Sequence, residues 1–328
     1  RDFLLSLVGS EMCIRDRFST DGELISQWGI YGSGDGEFRQ PTGIAIDGEG
    51  YVYVADMYNL RIQKFSGDGQ FITRWGNELD GDGMPIPGSG DGEFDFTQST
   101  GKIGIAIGPE GHVCVGDPER IQKFDLNGNF ITAWTSAGSD NNHFNEPRGI
   151  EIDPEGFIYV VDSSNHCVKK FDAQGNHQAF SDTMINLGSY GHGDGEFYHP
   201  MGIALDSAGF IYVTDGGNNR IQKFNPGGNY VAKWGNTCRL DDGYGCEDPD
   251  AEGPLELGDG QFFSPSGIAV DNDGFIYVVD NENCRVQKFD DEGTFITKWG
   301  SFGSGDGQFS RPMGIAVNAD GNIYVADT

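Results

Sequence analysis

The side chains in this sequence that could do chemistry are first of all its six histidines. None of them stands at the H-E-x-x-H spacing that places two zinc ligands on one face of a helix. His143, His166 and His199 fall in loops of neighbouring units of an internal repeat, so their imidazoles could approach one another and bind zinc. The alternative, which we favour, is that each lies in a solvated loop and binds no metal.

The sequence contains no signature of an activated nucleophile or of a phosphate-binding loop. There is no G-x-S-x-G string, and no cysteine has a histidine and an asparagine placed to activate it. The G-x-G strings lie between predicted strands, where that motif carries little meaning. Two acidic insertions, 77–95 and 239–253, could hold calcium through their oxygens, but neither follows the residue order of an EF-hand. We therefore expect no cofactor, with calcium and zinc as the alternatives.

The six cysteines offer one disulfide candidate. Cys238 and Cys246 share the second acidic insertion, and a bond between them would close a short loop worth about 2.5 kcal/mol. Such a bond forms in an oxidising compartment, so an extracellular or periplasmic location is favoured. Cys114 falls at an interior strand position and is expected to be a small buried apolar residue.

The formal net charge of −30 argues against two classes of partner. Nucleic-acid binding depends on Lys and Arg that neutralise phosphates, and anionic membranes attract basic segments. The apolar run at 3–8 is too short to span a membrane. Acidity of this size favours solubility instead.

A repeating element must position all of these residues, and residues 32–75 show its frame. The string G-x-G-D-G-x-F-x-x-P-x-G-I-A-(I/V)-D-x-x-G-x-(I/V)-Y-V-x-D-x-x-N-x-R-(I/V)-Q-K-F recurs, with insertions, along the chain. Its apolar residues alternate with a period of two, which predicts strands. Four strands in about 45 residues cannot bury both faces alone, so the units must stack. This predicts an all-β fold, a β-propeller of four-stranded antiparallel blades.

Two landmarks predict six blades. The Asp that ends the second strand and the Phe that ends the third strand each occur six times, but out of phase. We therefore expect residues 18–29 to supply the outer strand of the C-terminal blade, an N-terminal strand pairing that closes the ring and hides its edges. One domain then spans 18–328, with blades at about 30–76, 88–134, 138–184, 188–235, 258–300 and 301–328.

Residues 1–17 do not fit the frame. They contain LVGSEMCIRDR, which resembles a translated sequencing-adapter string. We therefore expect this segment to be non-native.

Residues that recur around the ring are interpreted as structural. All five Trp residues stand at the end of a fourth strand and are expected to pack on the outer strands. Asp56, Asn59 and Arg61 recur as a set and are expected to stabilise turns, and the GDG strings supply glycine where φ is positive.

The string I-A-(I/V)-D-x-x-G-x-(I/V)-Y-V-x-D-x-x-N-x-R-(I/V)-Q-K-F resembles the NHL repeat, a propeller unit named for an Asn-His-Leu signature. Here the signature stands as N-L-R at 59–61, N-H-C at 165–167, N-N-R at 218–220 and N-C-R at 283–285, and the unit at 116–124 lacks the Asn. The resemblance covers 18–328 and implies a propeller. It leaves function open, because such propellers serve as protein-binding platforms, RNA-binding domains, sensor ectodomains and, in related propellers, lyases and hydrolases. A zinc site built from the three histidines would resemble that of the propeller lyases that cleave peptidyl-α-hydroxyglycine.

Function is expected where the frame is kept but one position varies. The interblade loop and the loop between the second and third strands should share one rim beside the central channel. The candidate rim residues are Gln40, Thr42, Tyr58, Arg61, Arg148, His199, Met201, Asn219, Arg220, Ser266, Arg285, Arg311 and Met313. We expect a monomeric, non-catalytic platform that holds a protein, peptide or glycan. The alternative is a metal-dependent lyase or hydrolase with its site at the channel mouth.

Overall fold

Each repeat unit forms one four-stranded antiparallel sheet, as its alternating apolar residues require. A computed structural model describes residues 15–78, 80, 84–96, 101–134, 144–237 and 258–328. In it six such sheets stand as the blades of a propeller. Within this part of the chain, no helix is long and apolar enough to cross a membrane. The predicted all-β, six-bladed fold is confirmed.

The blades follow one another along the chain. First come β1 (Arg15–Phe18), β2 (Leu24–Trp28) and a short parallel pair, β3 (Ile30–Tyr31) and β4 (Glu37–Phe38). Blade 1 contains β5 (Pro41–Ile46), β6 (Val52–Asp56), β7 (Arg61–Phe65) and β8 (Phe71–Gly76). Blade 2 contains β9 (Ile105–Gly108), β10 (His112–Asp117), β11 (Arg120–Asp125) and β12 (Phe130–Trp134). Blade 3 contains β13 (Pro147–Ile152), β14 (Ile158–Asp162), β15 (Cys167–Phe171) and β16 (His177–Gln178).

The second half of the ring repeats this order. Blade 4 contains β17 (Pro200–Leu205), β18 (Ile211–Asp215), β19 (Arg220–Phe224) and β20 (Tyr230–Trp234). Blade 5 contains β21 (Pro265–Val270), β22 (Ile276–Asp280), β23 (Arg285–Phe289) and β24 (Phe295–Trp299). Blade 6 contains β25 (Pro312–Val317) and β26 (Ile323–Asp327) together with β1 and β2. Single 3-10 turns join the second and third strands of four blades, at Met57–Asn59, Ser163–Asn165, Gly216–Asn218 and Asn281–Asn283.

The first strands of the six blades stand side by side around the central channel. One glycine per blade allows this close approach, because a Cβ at Gly43 would collide with the Ile103 carbonyl oxygen of the next blade. The same collision recurs around the ring and ends with Gly314 of blade 6, which lies against the Thr42 carbonyl oxygen of blade 1. The frame glycine therefore sets the spacing of the inner strands.

The N-terminal segment closes the ring, as predicted. It supplies two strands to blade 6, since β1 pairs with both β26 and β2, and Phe18 lies fully buried in the core between blades 5 and 6. Strand β1 begins at Arg15, which is three residues earlier than the boundary expected from the frame. The proposed non-native origin of residues 1–17 stays a prediction.

The tryptophans pack between blades. Trp75 of blade 1 covers Gly128 in the turn between the third and fourth strands of blade 2, where a Cβ would lie 2.5 Å from the ring. The same contact joins Trp28 to Gly69, Trp134 to Gly175, Trp234 to Gly293 and Trp299 to Gly22. Blade 3 has no such Trp, and there Phe180 and Met184 cover Gly228 of blade 4. Five of the six outer strands therefore fix the next blade through one tryptophan-on-glycine contact.

A buried polar cluster holds each interblade loop in place. The Asp56 carboxylate accepts hydrogen bonds from the Arg39 backbone N–H at 2.7 Å, from Asn59 at 2.8 Å and from Arg61 at 2.9 Å. Arg61 also donates to the Ser33, Gly34 and Glu37 carbonyl oxygens. Asp215 and Asp280 form the same cluster in blades 4 and 5. The recurring Asp, Asn and Arg set therefore builds the blade.

Candidate functional site

The interblade segments and the 3-10 turns lie on one face of the ring, which we call the loop face. Their contact is direct, because Met57 and Tyr58 of a 3-10 turn donate backbone hydrogen bonds to the Gln40 and Arg39 carbonyl oxygens of the preceding interblade segment. The turns between first and second strands and between third and fourth strands lie on the opposite face, as an antiparallel meander requires. The candidate rim therefore belongs to the loop face.

Several candidate rim residues next to the frame proline are buried. Thr42 and Ser266 have no exposed surface, and Met313 is also buried. The Thr42 hydroxyl accepts from the Ile103 N–H of blade 2, and the Ser266 hydroxyl donates to the Met313 carbonyl oxygen of blade 6. These hydroxyls therefore join neighbouring blades.

Arg148 is buried as well, with its guanidinium on the Met201 sulfur at 2.7 Å and on the Glu146 carboxylate at 3.1 Å.

Arg61, Arg220 and Arg285 are buried in the Asp-centred clusters. Arg220 donates through Nε to Asp215 at 2.8 Å, and Arg285 does the same to Asp280 at 2.7 Å. Their remaining N–H groups reach loop carbonyl oxygens. The structure therefore assigns these three guanidinium groups to loop architecture.

The other candidate rim residues keep exposed surface. Gln40, His199, Met201 and Asn219 are half-buried, whereas Arg311 is exposed. Tyr58 is 57% exposed at the tip of the blade 1 turn. A partner on the loop face could contact this group directly.

Five aromatic rings form a continuous strip on the loop face between blades 3 and 4. We call this set, His166, Tyr190, His192, Tyr198 and His199, the aromatic strip. The His166 ring centroid lies 5.1 Å from Tyr190 and 4.9 Å from His199, and Tyr198 lies 4.7 Å from His199 and 5.8 Å from both Tyr190 and His192.

The strip crosses the loop face from the centre outward. His199 precedes Pro200, the first residue of an inner strand, whereas Tyr190 lies at the start of the interblade segment and is 62% exposed. Sequence reasoning found His166 and His199 but missed the two tyrosines and His192 as partners, because two separate chain segments bring the rings together. Ring faces in this arrangement can stack on planar or apolar groups of a ligand.

The two described histidines of the predicted zinc set are neighbours, but one nitrogen is already engaged. The His199 backbone N–H donates to Nδ1 of His166 at 3.1 Å. Burial, and then the nearby His199, lower the pKa of His166, so its imidazole is neutral near pH 7. His143 lies outside the described residues, and no group of three His, Cys, Asp or Glu suited to a metal occurs within them. Zinc binding stays a prediction.

Two further exposed aromatic residues occupy the position of Tyr190 in other blades. Tyr31 is 46% exposed and Phe302 is 78% exposed, and each stands immediately before a glycine of the G-x-G-D-G string. The Arg39 guanidinium lies 5.7 Å from the Tyr31 ring centroid. The sequence alone could have indicated these exposed rings, because an aromatic residue in a Gly-rich loop does not belong to the packed core.

Aspartates form a ring on the same face. The central residue of the GDG string is exposed in five interblade segments, at Asp35, Asp91, Asp194, Asp259 and Asp306. Three of them pair with a cation on the outer strand of their own blade: Asp35 with Arg74, Asp194 with Lys233 and Asp259 with Lys298. Blades 2 and 6 have Ala133 and Gln27 at that outer position. The loop face therefore combines exposed rings with uncompensated carboxylates.

The predicted disulfide falls outside the described residues, as do Cys238 and Cys246 themselves and the whole second acidic insertion. Cys114, Cys167 and Cys284 are buried free thiols. Cys114 is fully buried in strand β10, and burial raises the pKa of its thiol to about 12. Its predicted character as a small apolar core residue agrees with this position.

Sequence reasoning also missed a pair of charges in the central channel. Lys102 stands where the frame has proline, and Glu151 stands where it has alanine. Both line the channel cavity with apolar residues of all six blades. An alignment of the units would have shown both departures, because each occurs once in the chain.

Comparisons with known proteins agree with the repeat. A family model described as the NHL repeat matches residues 38–65, 144–171, 197–224 and 262–289. The chain is 28% identical over 159 residues to Protein brain tumor of Drosophila melanogaster and 32% identical over 174 residues to peptidylglycine alpha-amidating monooxygenase of Rattus norvegicus. These matches cover 48% and 50% of this chain but 12% and 16% of the two relatives.

Solved structures share the fold. The virginiamycin B lyase from Staphylococcus aureus superposes with a TM-score of 0.53 at 17% sequence identity, over 88% of this chain and 78% of the lyase. Identity at this level supports the shared architecture alone.

Proposed function

We propose that this chain, an NHL-repeat six-bladed β-propeller, is a non-catalytic platform that binds a protein or peptide on its loop face. The observation that carries the proposal is the aromatic strip, with Tyr190 exposed at its outer end. An exposed aromatic ring gains free energy when a partner covers it, and Tyr residues are enriched where proteins bind one another. Phe302 and Tyr31 are exposed at the equivalent position of other blades.

The charge of the face indicates the chemistry of the partner. The aspartate ring and the net charge of −30 favour a partner with exposed Lys or Arg side chains. A guanidinium can also stack on the Tyr and His rings of the strip. We therefore infer a basic polypeptide segment with apolar anchors. A glycan, which could stack on the same rings, would bind without this dependence on charge.

The experiment is selection of peptides from a random display library on the purified chain, followed by calorimetry with the selected peptide. Tyr190→Ser combined with Tyr198→Ser should weaken binding by about 2 kcal/mol, because interface tyrosines are frequent binding hot spots. Ile296→Ser is the matched control, since Ile296 is 44% exposed on an outer strand away from the loop face. Equal affinity of both variants would refute the assignment to the strip.

The alternative of a metal-dependent lyase or hydrolase rests on the contact of His166 with His199. Elemental analysis of the purified chain tests this alternative. Stoichiometric zinc that disappears in His199→Asn would favour it over the binding platform.

A further inference from the structure

The central channel contains a cavity that aliphatic residues line, although most of the surface exposed to it is polar. Its volume is about 150 Å³, and isoleucine, alanine, leucine and valine side chains of all six inner strands line it. A polar cavity of about this volume can hold a few water molecules or one small polar molecule. The cavity therefore has room for a molecule of several heavy atoms.

Two ionisable side chains lie among the aliphatic residues that line the cavity. Lys102 replaces the proline that begins the inner strand in the other five blades, and Glu151 replaces the alanine found at that position in the other five. The two residues belong to neighbouring blades and face the same cavity. Each keeps some surface open to the cavity and is otherwise enclosed by protein.

The pair is not a closed salt bridge. Neither the Lys102 side chain nor the Glu151 side chain makes an ion pair or a hydrogen bond with another described residue. A buried charge without a partner is costly, and five blades show that the fold is built without these charges. The cavity therefore contains two ionisable side chains whose burial is unfavourable and which the other copies of the repeat do not need in order to fold.

We propose that Lys102 is a reactive amine that captures small uncharged aldehydes or ketones as an imine inside the channel, with Glu151 as the acid that assists. A lysine shielded from bulk water is a stronger nucleophile near neutral pH, because a larger fraction of its amine is uncharged. Burial lowers the pKa of Lys102 to about 8, and burial raises the pKa of Glu151 to about 8. At pH 7 to 8 the site therefore contains both free amine and protonated carboxyl groups.

The reaction is a condensation that needs no oxidant or reductant. The uncharged Lys102 amine attacks the carbonyl carbon, and the resulting carbinolamine loses its hydroxyl as water. Glu151 gives a proton to that hydroxyl and later regains one from the nitrogen. A C=N bond replaces the C=O bond, and one water leaves.

Among the described residues, no third charged group shifts the pKa of Lys102 or of Glu151. Glu151 is the charged group that acts on Lys102, and Lys102 is the one that acts on Glu151. The Arg148 guanidinium lies beside Gly101, is not among the residues that line the cavity, and is paired with Glu146. The other lining residues are apolar.

A second hollow adjoins the cavity on the face opposite the loop face. A groove of about 410 Å³ between the turns of blades 1, 2 and 3 shares Ile46 and Ile107 with the channel. Asp47, Glu49 and Asp153 stand in this groove, so an anionic ligand would be repelled and an uncharged carbonyl compound would not. The site is separate from the aromatic strip, and its test is independent of partner binding.

The test is reductive trapping of the intact chain with propanal and cyanoborohydride at pH 7.4, followed by peptide mapping. We expect Lys102 to be propylated about tenfold faster than Lys233 or Lys298, whose side chains are 44% and 34% exposed. Glu151→Gln, which keeps the side-chain volume, should slow labelling of Lys102 by about tenfold. Asp259→Asn is the control and should leave Lys102 unchanged.

A bulky aldehyde supplies the second arm. 2-Naphthaldehyde should label Lys233 and Lys298 but not Lys102, because it does not fit the cavity. Labelling of Lys102 no faster than the surface lysines, or equal labelling by both aldehydes, would overturn the proposal. If Glu151→Gln melts below the assay temperature, the two aldehydes on the wild-type chain still decide.

Discussion

The Lys169 amine lies 2.7 Å from the Asp162 carboxylate in the one blade where cysteine stands at the position of the frame arginine. Both side chains are almost completely buried. In blade 1 the equivalent carboxylate, that of Asp56, is paired with Arg61, and Gln63 stands at the position of Lys169. Blade 3 therefore also has a cation on its carboxylate, but Lys169 supplies it from two residues further along the same strand.

This exchange predicts a strong mutational effect with an internal rescue. Lys169→Gln should lower the free energy of unfolding by about 3 kcal/mol, because it leaves a buried carboxylate without its cation. The double variant Cys167→Arg with Lys169→Gln restores the frame and should recover most of the loss. Urea unfolding measures both, and a double variant as unstable as the single one would contradict the exchange.

The channel pair predicts an unusual dependence of stability on pH. Burial raises the pKa of Glu151 from 4.5 to about 8, so the folded chain binds the extra proton and stability falls as pH rises from 4.5 to 8. Burial lowers the pKa of Lys102 from 10.5 to about 8, so stability rises again between pH 8 and 10.5. The pair therefore contributes a minimum of stability near pH 8.

The frame itself supplies the variant that tests this minimum. Lys102→Pro with Glu151→Ala introduces the residues of the other blades and should raise the free energy of unfolding by about 2 kcal/mol at pH 8. The exposed pair Lys298 and Asp259, changed to Met and Asn, should alter it by less than about 1 kcal/mol. Urea unfolding at pH 6, 8 and 10 measures the difference in the free energy of unfolding between wild type and the frame variant. Parallel pH profiles of the two proteins would contradict a stability minimum caused by Lys102 and Glu151.

The tryptophan contact between blades predicts a cost for one added methyl group. Gly128→Ala places a Cβ 2.5 Å from Trp75 at φ 87°, whereas Gly274→Ala has the same φ and no atom within 4 Å. Both variants carry the backbone strain, so their difference isolates the collision with the ring. We expect Gly128→Ala to be less stable by about 1–3 kcal/mol in thermal or urea unfolding. Equal losses would show that the ring moves without cost.

The strip predicts a low histidine pKa. His166 should titrate below its usual value of 6.5, because burial and the neighbouring His199 both disfavour its charged form. His199→Gln removes the second effect and should raise the pKa of His166 toward that of an ordinary histidine. Proton NMR titration of the ring signals measures both. A wild-type His166 that titrates above pH 6.5 would contradict the geometry.

Much of the fold follows from the sequence because the repeat averages over six copies of the same local rules. Alternating apolar residues, turn glycines and Trp75 with its counterparts specify the blades and their packing. The boundary of the closing strand differed by three residues, since Arg15 to Arg17 pair with the β26 backbone through main-chain groups that carry no side-chain signal.

The site was harder to predict. Thr42 and Ser266 vary between copies, but the glycine-spaced inner strands bury them, so variation alone does not indicate exposure. The aromatic strip depends on distances between two loop segments, which spacing along the chain does not reveal. Lys102 and Glu151 were visible as departures from the frame, although their shared cavity required the structure.

The most direct test of the binding face is the hydrogen-exchange footprint of a bound basic peptide, selected on the purified chain. If the peptide binds the loop face, we expect slowed exchange at 163–166 and 189–199, which carry the aromatic strip. We expect little change at the turns 47–50 and 67–69 on the opposite face. Protection confined to those opposite turns, with 189–199 unchanged, would contradict the assignment of binding to the loop face.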